Sequence, residues 1–302
     1  MTESTARSDR ADPPTADPTR VVAADLGFEV LEECEVVLQV MASTTAGRVR
    51  SERLEVRVDG HPSTAPVELA AAHGARVQVL RAPPGNLTVS YRAELDRTTP
   101  RTGGAGGPGA DHVDIPGDPD GAMARLVYLR PSRYCPSDHL IGFAVAEFGT
   151  ASTVGDRVAS ITDWIRRRVG YVAGSSTVHN SAEDTLLTGM GTCRDFAHLG
   201  VALCRAVGIP ARFAAVYAPG LSPMDFHAVF EAQESDGRWY AHDATDLAPR
   251  QTMVRIVTGR DAADAAFASV NRGIATLGSV EVSATTGGRL PVDDRARAVE
   301  LA

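Results

Sequence analysis

Apolar residues recur at every second position from about Val21 to Leu95; after a Gly- and Pro-rich interval they recur at helical spacing. That change of period divides the chain. In the first part "RLEVRVDG" alternates at Leu54, Val56 and Val58, "RVQVL" at Val77 and Val79, and "LTVSYRAEL" at Leu87, Val89 and Tyr91. Turn clusters such as "DGHPST" and "APPGN" separate the runs. Short, punctuated strands of period two predict an antiparallel β-sandwich or open barrel. The interval "RTTPRTGGAGGPGADHVDIPGDPDG" has no period and reads as a long loop or linker, with residues 101–121 extended.

Beyond it, Val154, Val158, Ile161 and Ile165 predict an amphipathic helix over Thr153 to Val169. A second helix is expected from Cys193 to about Val207, then strands at 212–217, 225–231 and 238–243. "GRDAADAAFASV" reads as a short helix and "IATLGSVEVSA" as a final strand. The expected fold class is α+β, organised as a disordered tail (1–19), a β-rich domain (20–120), a mixed helix-and-strand domain (121–284) and a C-terminal tail (285–302).

A length of 302 residues, 43% hydrophobic and 23% charged, is that of a globular chain with a sizeable core. No apolar run approaches the roughly 18 residues of a membrane span, and the N-terminus lacks a secretory h-region. Neither membrane association nor secretion is expected, and a cytoplasmic location follows by default. A net charge of −8 argues against nucleic acid as a partner, because phosphate neutralisation needs a basic face. All 30 basic residues are arginine, which excludes Schiff-base chemistry on a lysine. Cys34, Cys135, Cys193 and Cys204 are too few and scattered for a disulfide framework.

The cysteine in "GMGTCRDFAHLG" opens a helix. Thr192 is the expected N-cap, Asp195 completes an approximate capping box, and Gly208 with Pro210 ends the helix. Unpaired N–H groups at a helix start favour an anion, and a thiolate is one. The competing reading is a buried structural thiol, which Cys34, Cys135 and Cys204 keep.

A nucleophilic thiol needs an oriented base. "DFHAVFEAQESDGRWYAHDATD" reads as a hairpin with His227 on its first strand and Asp243 at the end of its second. The two fall directly opposite if the loop is odd in length and centred on Ser235; a two-residue turn at Ser235–Asp236 would separate them. A strand histidine and a turn aspartate are the plain alternatives. Cys193, His198, Cys204 and His242 match no usual zinc spacing.

The order Cys, His, Asp, with "GTCRDFAHLGVALCRAVGIPARF", "DFHAVFE" and "AHDATD", resembles the transglutaminase-like superfamily, and more narrowly its bacterial members with a β-rich N-terminal domain. The resemblance implies a papain-like core with Cys193 as nucleophile, His227 as base and Asp243 as the orienting acid. It further implies acyl transfer from a peptide or protein amide through a thioester, without metal or cofactor. Peptidase or amidase activity is the favoured expectation; transamidation, or a catalytically idle scaffold, are the alternatives. Two positions depart from the family pattern: Val229 where Trp often follows "HA", and Ala244 where Pro often follows the aspartate. Trp164 and Tyr171 are candidates for a second oxyanion donor.

Overall fold

The computed structural model describes residues 19–96, 123, 125–295 and 297–301. Of the expected tail over 1–19 all but Thr19 lies outside the described residues, as does the 101–121 interval.

Alternation builds the first layer as expected. In β7 (Gly85–Leu95) the side chains of Leu87, Val89, Tyr91, Ala93 and Leu95 are buried, while Asn86, Thr88 and Arg92 point outward. It lies between β1 (Arg20–Val30) and β3 (Val49–Val58), and β4 (His61–Pro62) extends that side. A facing sheet contains β2 (Cys34–Leu38), β5 (Val67–Ala70) and β6 (Arg76–Ala82).

The second layer is helical on one side. Helix α1 (Ile141–Phe148) and helix α2 (Val154–Arg168) pack beside α4 (Cys193–Ala206), with α2 capped by the Thr153 hydroxyl accepting from Asp156 N–H. Between α2 and α4 run β8 (Gly170–Tyr171), α3 (Ala182–Thr188) and β9 (Met190–Gly191). Helix α4 rests on an antiparallel sheet of β10 (Ala211–Tyr217), β11 (Phe226–Gln233), β12 (Trp239–His242) and β13 (Val254–Gly259), in the order β12-β11-β10-β13.

The helix sits close because it presents Gly200 to Phe230. A Cβ there would fall 2.4 Å from the ring, and Phe230 is fully buried. Gly200→Val should therefore destabilise the protein by an amount in the upper part of about 1–3 kcal/mol, because the ring has nowhere to move. Urea unfolding checks this; an unchanged midpoint would mean that helix and sheet can separate freely.

Three expectations are corrected. The "GRDAADAAFASV" segment is not a helix. Asp261 is buried and accepts from the N–H groups of Tyr134 and Ala263, both at 2.9 Å, and Asp264 accepts from Arg260 N–H at 3.0 Å. Side-chain caps thus compete for the backbone, and the segment ends as strand β14 (Ala268–Asn271). The boundary at 284 also fails to follow the strand pairing. β14 pairs with β2, and β15 (Ala275–Thr286) pairs with β1, so both facing sheets take their outer strand from the far end of the chain. Residues beyond 287 are not a loose tail: Val299 and Leu301 are buried, Val299 C=O accepts from Ala241 N–H at 2.8 Å, and Asp293 pairs with Arg250 at 2.8 Å.

The two layers share one core. Val22, Leu26 and Tyr91 from the first join Phe213, Tyr217 and Val254 from the second. Buried Arg20 donates to Met253 C=O at 2.9 Å, and the Tyr217 hydroxyl to Val40 C=O at 2.6 Å. Among the described residues no helix is long and apolar enough to cross a membrane.

Candidate active site

The start of α4 is built by two glycines with different tasks. Gly189 ends α3 in the left-handed region (φ 66°). Gly191 makes room: a Cβ there would lie 2.6 Å from that of Asp195. Asp195 is buried and accepts from the N–H of Thr192 at 2.8 Å and from its hydroxyl at 3.0 Å. Ser176 donates to its other oxygen at 2.8 Å. The first turn is thereby immobilised, and Cys193 stands half-buried on it.

His227 and Asp243 are both buried. His227 Nε2 donates to Asp243 Oδ2 at 2.8 Å. The other carboxylate oxygen accepts from the Thr245 N–H at 2.8 Å and its hydroxyl at 2.7 Å. Three donors therefore hold the carboxylate with one oxygen committed to the imidazole. Nδ1, the remaining ring nitrogen, has no hydrogen-bond partner among the described residues, and the Cys193 thiol comes up to this ring. Such looseness is usual before substrate tightens the contact. Cys193, His227 and Asp243 are thus brought together.

The hairpin reaches this geometry by a register that differs from the expected one. Gln233 pairs with Trp239, so the loop covers residues 234–238 and centres on Asp236 instead of Ser235. Continuing that register sets Asp243 opposite Val229, diagonal to His227 on the same side. Diagonal neighbours still meet through long side chains.

Electrostatics favour an ion pair within the site. Burial would lower the His227 pKa, but the charge and hydrogen bond of Asp243, with the Cys193 thiol, carry it above the ordinary imidazole value. Burial would raise Asp243, and His227 with the two Thr245 donors holds it below the carboxylate range. Imidazolium against carboxylate is the resulting state.

The neighbouring acids and the other candidates sit elsewhere. Glu231 is paired with Arg212 and Arg255, and Asp246 with Arg295, so neither orients His227. His198 is buried, stacks on Tyr134 with centroids 5.2 Å apart, and accepts from Ala262 N–H at 3.1 Å. His242 stacks on Phe230 at 5.3 Å. Burial raises the Cys135 thiol to about 12 and Cys204 further. Among the described residues no group of three or more His, Cys, Asp or Glu side chains could hold a metal ion. Trp164 packs against Phe143 and Phe148 at 5.3 and 6.2 Å, partly buried at the edge of the helical core.

Two supporting residues escaped the sequence reading. Thr245 was detectable, because Asp-x-Thr is a local side-chain-to-backbone motif. Arg194, which donates to Thr177 C=O at 2.8 Å and packs 4.5 Å from the Tyr134 ring centroid, was not. Its partners lie in two separate segments outside the helices and strands, which no period announces.

The family model of the transglutaminase-like superfamily matches residues 143–244, the stretch from α1 to just past Asp243. A structure from Cytophaga hutchinsonii, described as a proposed cysteine protease, is 34% identical, with a TM-score of 0.80, covering 94% of this chain and 98% of that one. An uncharacterized protein of Mycobacterium leprae is 28% identical over 148 residues, 46% of this chain; the match spans about half (52%) of that relative's length. The helix-start cysteine, the hairpin that carries His and Asp, and a likeness running the length of both chains lead to one assignment: this chain belongs to the transglutaminase-like superfamily.

Proposed function

We propose that the protein is a cysteine-dependent acyl-transfer enzyme that opens amide bonds through a thioester, with water as the usual acceptor. The observation that carries this is the buried His227–Asp243 pair with its free Nδ1 turned over to the thiol of a helix-start cysteine. In this reading the Cys193 sulfur attacks the carbonyl carbon while the π pair moves to oxygen, and the Cys193 N–H receives that charge. His227 gives its Nδ1 proton to the leaving amine as the C–N bond breaks. Nδ1 then accepts a proton from water, hydroxide adds to the thioester, and the acid leaves with the thiolate restored. Asp243 stays ionised throughout and fixes the ring.

The test uses a casein peptide digest, with and without a primary amine, and Cys193→Ala as control. New peptide termini, or glutamine converted to glutamate, are expected from wild type alone. Amine adducts without hydrolysis would transfer the assignment to a transamidase. No change above the control, with Cys193 alkylated by iodoacetamide at pH 6 no faster than N-acetylcysteine, would reduce the site to a scaffold.

A further inference from the structure

We propose that Arg250 is a positioning residue for Asp243, itself held by a strap of residues 293–301 along the open edge of the hairpin; this rests on the acyl-transfer reading. β12 is an outer strand of its sheet, and its ladder with β11 ends at the Phe230–His242 pair. Asp243 is the first residue past that ladder. Thr245 fixes one of its oxygens but belongs to the same departing segment, and His227 is the group to be oriented. The seat for the carboxylate must therefore come from elsewhere.

Arg250 closes the segment. Its side chain is buried, and Nη1 donates to Ala241 C=O at 2.8 Å, two residues before Asp243. The rest of the guanidinium meets Asp293 as a fork: Nε donates to Oδ2 at 2.8 Å and Nη2 to Oδ1 at 2.9 Å. The Arg250 backbone N–H adds a donation to Oδ2 at 3.1 Å, and Nη2 reaches Arg297 C=O at 3.2 Å. A planar, two-point pair of this kind fixes direction as well as distance. Burial would raise the Asp293 carboxyl, but the hydrogen bonds and charge of Arg250 hold it well below the carboxylate range.

The strap meets the segment at three further places. Ala241 N–H donates to Val299 C=O at 2.8 Å, so both backbone groups of Ala241 are taken from the open edge of β12. Arg295 pairs with Asp246 at 3.2 Å, and Leu301 joins Ala241 and Ala248 in one apolar cluster. Positions 241, 246, 248 and 250 thus bracket Asp243. A shift of this segment would be felt first in the bond from His227.

That bond supplies the test. A proton between Nε2 and a buried carboxylate gives a downfield NMR resonance, assigned by its absence from His227→Ala. Arg250→Gln removes the fork, and the resonance is expected to move or broaden. Turnover of p-nitrophenyl acetate should slow by about 10²-fold, with alkylation of Cys193 by iodoacetamide slowed much less. Asp293→Asn keeps the guanidinium and one acceptor; it should show the same changes to a smaller extent, and replaces Arg250→Gln if that variant does not fold. An unmoved resonance in the folded variant would overturn the proposal, whatever the urea midpoint does, because the strap would then brace the fold without placing Asp243. A wild type that shows the resonance but never turns over the ester would overturn the acyl-transfer reading alone. The resonance in the variants would still decide what holds Asp243.

Discussion

Asp243→Asn is expected to slow turnover of p-nitrophenyl acetate by about 10⁴-fold, and to slow alkylation of Cys193 by iodoacetamide much less. The reason lies in where one proton sits. Thr245 gives Oδ1 two hydrogen bonds, at 2.8 and 2.7 Å, so an asparagine keeps its oxygen there and turns its NH₂ toward His227. Nε2 must then accept, and the ring proton moves to Nδ1. That nitrogen is the one which has to take a proton from water during thioester hydrolysis, and in this tautomer it cannot. Alkylation asks for a nucleophilic sulfur and no proton acceptor, so it suffers less. His227→Ala should behave differently, bringing alkylation at pH 6 down to the rate of a free thiol, because no imidazolium remains beside the sulfur. Rates of both reactions in the two variants check this. A fall of less than tenfold in Asp243→Asn turnover would mean that the ring is oriented by something else.

Glu231→Gln should destabilise the fold by about 3–5 kcal/mol at pH 7. Glu231 has no solvent exposure and accepts from Arg212 Nε at 2.7 Å and from Arg255. Arg212 also lies over the Trp239 ring, 4.3 Å from its centroid. The neighbouring imidazoles are held neutral and add no further positive charge. Burial and then Arg212 lower His73 to about 4, and burial and then Arg250 lower His242 to about 3. His73 is itself tied to the Tyr128 hydroxyl at 2.9 Å. Removing the carboxylate charge leaves two guanidiniums buried together. Replacing all three members with apolar residues should cost far less, since the desolvation then disappears with the charges. The pH dependence has a definite sign. Against burial, the two arginines hold Glu231 below its ordinary value, so its contribution is complete above the unfolded carboxyl value of about 4.3 and is lost as pH falls through the folded one. The gap between wild type and variant in urea midpoint should be widest near neutrality and close in acid. Coincident midpoints at pH 7 would remove the ion triad from the account of stability.

Much of the fold could be read from local pattern. Period two marked β1, β3, β6 and β7, and the spacing of Val158, Ile161 and Ile165 marked α2; these residues are fully buried. Thr192, Asp195, Gly208 and Pro210 bounded α4 correctly, since capping is a matter of a few consecutive residues. The assignment failed where a partner far along the chain decided the outcome. Residues 259–270 are rich in alanine, a strong helix former, yet Asp261 and Asp264 take the local N–H groups and β2 takes the strand that follows.

For the site, the sequence alone determined which residue types stand in which order: a thiol at a helix start, then an imidazole and a carboxylate on successive strands of one hairpin. Those features are local, and local chemistry dictates them. Only the tertiary structure decided the hairpin register, the pairing of β14 and β15 with β2 and β1, and the commitment of Glu231 to Arg212 and Arg255. Each depends on a contact between segments whose closeness is set by packing. Strand period fixes which side of a sheet a residue occupies and is silent on the neighbour it will meet there.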